Sequence, residues 1–94
     1  MKSSEIATTK FSTTKFREGY SMPEVDAFLD DIRGSLTAWE SGRPGPVTAA
    51  AVAEARFPMT KFRAGYDQDQ VDTFLDEAAA ALKEFESGVY PTFG

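Results

Sequence analysis

The chain has 94 residues and a mass of 10.3 kDa, which fits one small domain or two very small units that depend on each other. It contains no cysteine and no histidine, which excludes disulfide scaffolds, zinc sites with Cys or His ligands and triads built on an imidazole base. The net charge of −5 argues against duplex nucleic acid as the main partner, and no motif predicts a cofactor or metal ion.

The first predicted elements are a short helix and a loop. Either Ser3 or Ser4 supplies a cap for the short helix, which we expect to run through Thr9. The loop at residues 15–20 reads Lys-Phe-Arg-Glu-Gly-Tyr, and we expect Gly19 in it to adopt a backbone angle that other residues resist.

A long amphipathic helix of about 19 residues follows the loop. Ser21 and Glu24 form a predicted capping box at its start, and Gly42 stands where the residue after the helix is commonly glycine. Its apolar stripe is Val25, Phe28, Leu29, Ile32, Leu36 and Trp39, in which Val25, Leu29, Ile32, Leu36 and Trp39 recur at 4–3–4–3 spacing. The segment Arg43–Pro46 then ends the helical pattern.

The second half of the chain repeats the first at an offset of 46 residues. Between Phe11 and Gly42, 16 of 32 positions are identical to the residue 46 places later. Thr48 caps a second short helix through Ala55. Asp67 and Gln70, the equivalents of Ser21 and Glu24, begin a second long helix, and its stripe is Val71, Phe74, Leu75, Ala78, Leu82 and Phe85. Gly65 and Gly88 are the equivalents of the first-half glycines.

These patterns predict an all-α fold with two tandem helix-loop-helix repeats, at residues 1–46 and 47–94, that form one folded unit. A 46-residue unit is below the size that usually folds alone, so each apolar stripe needs a partner. We expect the long helices to pair as a short, coiled-coil-like pseudo-dimer within one chain. Parallel and antiparallel arrangements both fit the connection length.

Charge alternates along the repeats. Residues 1–17 and 42–66 each carry a net charge of +3, whereas residues 18–41 carry −5 and residues 67–94 carry −6. Each repeat therefore has a basic entry and loop followed by an acidic helix.

The two basic loops support two interpretations. Cations beside an apolar side chain can contact an anionic membrane, and the candidate contact residues are Lys15, Phe16, Arg17, Lys61, Phe62 and Arg63. Alternatively, Phe16 and Phe62 fill the core beneath the loops while the cations are solvated or pair with acids.

The acidic helices carry carboxylates at i, i+4 spacing beside a preceding tyrosine. The candidate residues are Tyr20, Asp26, Asp30, Tyr66, Asp72 and Asp76. Catalytic and metal-binding interpretations are weak, because no other catalytic group and no glycine-bearing calcium loop lies nearby in sequence. The remaining interpretations are a solvated acidic face, a groove that accepts an arginine from a partner peptide, or acceptors that hold the adjacent loop.

The repeated motif resembles the N-terminal domain of the DivIVA family of bacterial polar and septal scaffolds, which includes GpsB. The matching residues of the first repeat are Phe11, Phe16-Arg17, Gly19-Tyr20, Glu24-Val25-Asp26 and Phe28-Leu29-Asp30. Those of the second are Phe57, Phe62-Arg63, Gly65-Tyr66, Val71-Asp72 and Phe74-Leu75-Asp76, and Thr48 to Val52 looks like the family's opening short helix.

The resemblance implies a parallel arrangement with crossed loops, with the Phe-Arg loop tips at a membrane and the tyrosine–aspartate groove as a receptor for arginine-bearing tails of cell-wall synthases. Each loop has an extra residue, Glu18 or Ala64, and the family's long C-terminal coiled coil is missing.

The sequence therefore predicts a non-enzymatic, cytoplasmic adaptor of bacterial cell division or envelope growth. It would bind a protein tail, the inner face of the membrane, or both. The alternative is a structural oligomerisation module that pairs with longer DivIVA-type coiled-coil proteins. The chain would be a monomer with an internal pseudo-dimer or a homo-oligomer.

Overall fold

A computed structural model describes residues 1–15, 18–61 and 63–88 of the chain. This part of the chain forms four helices and one small sheet: α1 (Ser3–Thr8), β1 (Thr13–Thr14), α2 (Met22–Glu40), α3 (Ala49–Glu54), β2 (Gly65–Tyr66) and α4 (Gln68–Glu86). The fold is largely helical, as predicted. The two strands, which have two residues each and pair with each other, are a small addition that the sequence did not predict.

The two long helices are amphipathic in the predicted way. Both are 19 residues long. Four stripe positions are buried in each helix: Val25, Leu29, Ile32 and Leu36 in α2, and Val71, Leu75, Ala78 and Leu82 in α4. Gly42 and Gly88 have φ angles of 84° and 80° just beyond the helices, where glycine avoids a steric penalty.

The helix starts agree with the sequence patterns in the second half of the chain and differ in the first. Thr48 accepts a hydrogen bond from the Ala51 amide at 3.1 Å, and Asp67 accepts one from the Gln70 amide at 3.1 Å. The predicted capping box of α2 is wrong, because the Ser21 hydroxyl donates to the Glu24 carboxylate and caps no backbone amide.

Each short helix lies against the long helix of its own half, and a glutamate at the end of the long helix caps it. Glu40 accepts hydrogen bonds from the amide and the hydroxyl of Ser3, each at 2.8 Å. Glu86 accepts one from the Ala49 amide at 2.7 Å. The start of each short helix therefore meets the end of its long helix, so the two run in opposite directions. These contacts satisfy amides that the helix itself leaves unpaired.

The loops of the two halves cross each other in an antiparallel pairing. Thr13 pairs with Tyr66 and Thr14 with Gly65 in the sheet, and Tyr20 pairs with Tyr66 and Met59 in isolated bridges. A shift of 46 residues converts the Thr13–Tyr66 pair into the Met59–Tyr20 pair and leaves the Tyr20–Tyr66 pair unchanged. The two halves therefore contribute equivalent contacts.

The glycines at this crossing are required for close approach and not for an unusual backbone angle. A Cβ atom on Gly19 would lie 2.7 Å from the Tyr66 carbonyl oxygen, and one on Gly65 would lie 2.8 Å from the Gly19 carbonyl carbon. Positive φ angles occur instead at Gly42 and Gly88. The prediction that Gly19 and Gly65 adopt an unusual backbone angle was therefore wrong.

The long helices run in the same direction. At their N-terminal ends Tyr20 and Tyr66 exchange two backbone hydrogen bonds, of 3.0 and 2.9 Å. At their C-terminal ends the Trp39 and Phe85 rings stack, with centroids 5.7 Å apart and an interplanar angle of 13°. Contact at both ends requires a parallel orientation, which the sequence left open.

No helix in the described ranges is long and apolar enough to cross a membrane.

Candidate functional site

One side-chain hydrogen bond joins each tyrosine to an aspartate of the other half. The Tyr20 hydroxyl donates to Asp72 Oδ1 at 2.7 Å, and the Tyr66 hydroxyl donates to Asp26 Oδ1 at 2.7 Å. We call the group of Tyr20, Asp72 and Asp76 the Tyr20 site, and the group of Tyr66, Asp26 and Asp30 the Tyr66 site. Each site therefore takes its tyrosine from one half and its carboxylates from the other.

The crossing of the loops produces this exchange of partners. The backbone pairing of Tyr20 with Tyr66 places each tyrosine beside the first turns of the opposite long helix. Asp26 and Asp72 lie in those turns, each directly after a fully buried valine. The buried valine orients the helix, and the aspartate that follows it is exposed at the surface.

Aromatic packing supports each tyrosine. The Tyr20 ring lies 5.4 Å from Phe57, which in turn lies 5.7 Å from Phe28. The Tyr66 ring lies 5.3 Å from Phe11. These edge and tilted contacts are the geometries that aromatic pairs prefer, and they hold the phenol rings in place over the carboxylates.

Both tyrosines are held in the protonated form. Burial and the hydrogen bond to Asp72 raise the pKa of Tyr20 to about 12, and the hydrogen bond to Asp26 and burial raise the pKa of Tyr66 to about 12. At neutral pH each hydroxyl is a donor to its aspartate. A tyrosine that acted as a base would need a lowered pKa, so the site is suited to binding rather than proton abstraction.

The Tyr20 site opens into a groove between α3 and α4 with a volume of about 340 Å³. The groove is lined by Tyr20, Val52, Ala53, Ala55, Arg56, Asp72, Leu75 and Asp76. Asp72 and Asp76 lie one helical turn apart on one face, and only Oδ1 of Asp72 is used by the tyrosine. The other carboxylate oxygens can accept hydrogen bonds from a cationic ligand.

An arginine of the chain itself lines this groove. Arg56 Nη1 donates to the Ala55 carbonyl oxygen at 2.8 Å, just beyond the end of α3. Its positive charge acts on the Tyr20 hydroxyl and slightly offsets the rise in the pKa of that tyrosine. The sequence patterns did not indicate Arg56 as a site residue. Its place directly before Phe57, which packs on Tyr20, is the signal that would have found it.

The Tyr66 site has a different cation nearby. Asp30 forms an ion pair with Arg33 at 3.5 Å, and both side chains are largely exposed, so this pair contributes little. Lys10, the equivalent of Arg56, lines a separate cavity of about 430 Å³ together with Asp69 and Glu77 of α4.

The basic loops are described in part. Lys15, Lys61 and Arg63 are exposed. Lys15 and Lys61 directly follow Thr14 and Thr60, which are buried against the crossing glycines. Phe16, Arg17 and Phe62, the other predicted membrane-contact residues, lie outside the described residues.

The structure divides the six predicted groove residues between two sites, and each tyrosine bonds to an aspartate of the other half, a pairing that the sequence did not reveal. Tyr20 precedes the helix that carries Asp26, yet its hydroxyl bonds to Asp72. Asp26 and Asp72 do hold the neighbouring loops, but through tyrosine hydroxyls and not backbone amides.

No protein-family model matches the chain, and comparison with curated proteins and with solved structures finds no match. The resemblance to the DivIVA family therefore stays a prediction.

Proposed function

We propose that the protein is a non-enzymatic, cytoplasmic adaptor that binds arginine-bearing protein tails through its tyrosine–aspartate sites. The DivIVA-like motif supports a role in bacterial cell division or envelope growth, with a division or cell-wall synthesis protein as the partner. The observation that carries the proposal is the pair of cross-half Tyr–Asp hydrogen bonds, each beside a second carboxylate one turn away.

The proposal includes a fold hypothesis, in which the chain is a tandem pair of DivIVA-like units that form an internal pseudo-dimer. The helix bounds support it, because α3 and α4 begin and end 46 residues after α1 and α2. The self-equivalent contacts Tyr20–Tyr66 and Trp39–Phe85 also support a coiled-coil-like pairing of the long helices.

Arginine is the favoured ligand because of the geometry of the acceptors. A guanidinium group presents a planar fork of donors that matches carboxylate oxygens, whereas an ammonium group is a compact point charge. The tyrosine fixes one oxygen of the aspartate and leaves the other free. Its ring also offers a face on which a guanidinium group can stack.

A binding measurement with a short peptide tests this function. The probe is a fluorescein-labelled Gly/Ser peptide with one arginine, and its control carries glutamine in place of arginine. The double variant Asp26→Asn/Asp72→Asn keeps an acceptor for each tyrosine and removes both charges. We expect it to bind the arginine peptide at least about tenfold more weakly, as the loss of a charged hydrogen bond implies.

Asp31→Asn is the matched control, because it removes one exposed acid of α2 that belongs to neither site. It should leave the affinity within about twofold. Equal binding of the arginine and glutamine peptides, or equal binding by the double variant and the unaltered protein, would refute the proposal.

A second candidate function, contact with an anionic membrane, is favoured by the exposed cations at the loop crossing. Lys15, Lys61 and Arg63 are exposed there, and Met59, which pairs with Tyr20, is 38% exposed. Each cation near an anionic surface adds about 1 kcal/mol. Salt-sensitive co-sedimentation with anionic but not neutral vesicles, lost in Lys15→Gln/Lys61→Gln/Arg63→Gln, would support this role.

The alternative of an oligomerisation module has weaker support. It needs apolar stripe positions that the internal pairing leaves open. Trp39 and Phe85, at the ends of the stripes, are partly buried against each other. Sedimentation near 10 kDa at micromolar concentration would favour the pseudo-dimer, and a stable species of twice that mass would favour the module.

A further inference from the structure

The two tyrosine–aspartate sites have different electrostatic surroundings, although their hydrogen bonds are the same. Arg56 lines the groove of the Tyr20 site. The equivalent residue of the first half is Lys10, which lines a cavity together with Asp69 and Glu77 of α4. The equivalent positions of the two halves therefore carry different cations, a lysine in the first and an arginine in the second.

The charges that act on the two hydroxyls show the same difference. The Tyr20 hydroxyl experiences Asp72 and Asp69, which raise its pKa, and Arg56, which lowers it. Among the charged groups of the described residues, Asp26 acts on the Tyr66 hydroxyl and raises its pKa. The cation near the Tyr66 site, Arg33, pairs with the outer carboxylate in an exposed contact and not with the carboxylate that the tyrosine uses.

We propose that Arg56 is an internal competitor of the Tyr20 site, so that the Tyr66 site is the primary receptor for an arginine side chain. This inference rests on the proposed function. The guanidinium group of Arg56 has the chemistry of the ligand and already donates to the Ala55 carbonyl oxygen within the groove.

A tethered cation is difficult to displace. Its effective concentration in the groove is on the order of millimolar or higher, which exceeds that of any free peptide in a binding experiment. It also reduces the negative potential that Asp72 and Asp76 present to an incoming arginine. The apparent affinity of the Tyr20 site falls for both reasons, while that of the Tyr66 site is unaffected.

Isothermal titration calorimetry with the unlabelled single-arginine peptide tests the competition. The unaltered protein should bind one peptide per chain. Asp26→Asn should weaken that binding at least about tenfold, and Asp72→Asn should change it less than about twofold. Arg56→Gln should create a second site, and Arg56→Gln/Asp72→Asn should return the stoichiometry to one.

Lys10→Gln is the matched control, because it removes the equivalent cation from outside the groove. It should leave one peptide per chain. Two equal sites in the unaltered protein, or an unchanged stoichiometry in Arg56→Gln, would overturn the competition while leaving the proposed function intact. An absence of binding in every variant, including Arg56→Gln, would overturn both.

Discussion

The two halves of the chain match closely where their loops cross and less closely on the outer faces of their helices. At the crossing the glycines, the tyrosines and the buried threonines are identical in the two halves and make equivalent contacts, although Met59 is the equivalent of Thr13. The Tyr–Asp hydrogen bonds are both 2.7 Å, and the tyrosine rings lie 5.3 and 5.4 Å from Phe11 and Phe57. Because equivalent residues of the two halves pack against each other at the crossing, a residue type that packs well in one half must also pack well in the other.

The outer faces have diverged. A second groove between α3 and α4, apart from that of the Tyr20 site, has a volume of about 410 Å³ and is lined by Ala49, Ala50, Ala53, Ala79, Ala80, Lys83 and Glu86. The equivalent positions of the first half include Ser3, Ser4, Arg33 and Gly34. The outer-face residues differ between the halves, whereas the glycines and tyrosines of the crossing are identical. This difference indicates that the crossing maintains the fold, while the outer faces determine what each half can contact.

The largest expected effect is at the crossing glycines. In Gly65→Ala the new Cβ would lie 2.6 Å from Thr60 Oγ1 and 2.8 Å from the Gly19 carbonyl carbon, and backbone atoms cannot rotate away. We expect a loss of about 3 kcal/mol in the free energy of unfolding, measured by urea titration with circular dichroism. Gly19→Ala should cost a similar amount, because its surroundings are equivalent.

The matched control is Gly34→Ala, an exposed position inside α2 where an added Cβ meets nothing within 4 Å. It should stabilise the protein by about 0.5–1 kcal/mol, since alanine is the better helix former. If Gly65→Ala were as mild as Gly34→Ala, the close approach of the two backbones would be wrong.

The next effect concerns the far ends of the long helices. Phe85→Ala removes the ring that stacks on Trp39 at 5.7 Å. Because both rings are half-buried, we expect a loss of about 2 kcal/mol, below that of a fully buried aromatic residue. The emission of Trp39, the sole tryptophan of the chain, should shift to longer wavelength.

Phe85→Leu is the conservative control, which keeps an apolar contact and should shift the emission less. Unchanged emission in Phe85→Ala would contradict the parallel orientation of α2 and α4, since antiparallel helices would not bring these two rings together.

The residue patterns predicted the helices well, whereas the crossing of the loops was implied only by the family resemblance and its residue pairs were not predicted. The long helices follow from local sequence signals: the apolar stripe, the Asp67 cap, and the glycines at 42 and 88, which adopt positive φ angles just beyond the helices. The partner of Tyr20 is 52 residues away in Asp72, and no local pattern specifies which half it comes from. The strands were missed because each has only two residues, which is too short to show an alternating pattern.

The glutamate caps should give a smaller and unequal pair of effects. Glu40 accepts two hydrogen bonds from Ser3, whereas Glu86 accepts one from Ala49. The start of α3 is also capped by the Thr48 side chain, while α1 has no side-chain cap at the residue before it. We expect Glu40→Ala to cost about 1 kcal/mol and Glu86→Ala about half of that.

Hydrogen exchange of the first amides of α1 and α3 measures the two effects locally. Exchange at α1 should accelerate in Glu40→Ala only, and exchange at α3 in Glu86→Ala only. Glu84→Ala, which removes an exposed acid of α4 near Glu86, is the control. Equal losses in the two variants would indicate that the side-chain cap at Thr48 contributes nothing to α3.

The smallest expected effect is a dependence of stability on alkaline pH. The pKa of Tyr20 and that of Tyr66 are raised to about 12 in the folded protein, from an ordinary value of 10.0. The stabilising contribution is therefore complete below pH 10 and is lost as the pH rises toward 12. Both hydroxyls are accessible to solvent, so screening should keep each contribution below about 1 kcal/mol.

The difference between the unaltered protein and Tyr20→Phe/Tyr66→Phe isolates this contribution, because lysines titrate equally in both. The free energy of unfolding of the double variant should fall less steeply between pH 10 and 12. The fall should be steeper in Arg56→Gln than in the unaltered protein, since Arg56 favours the ionised form of Tyr20. Identical slopes in Arg56→Gln and the unaltered protein would mean that Arg56 does not act on the Tyr20 hydroxyl, and the electrostatic difference between the two sites would then be lost.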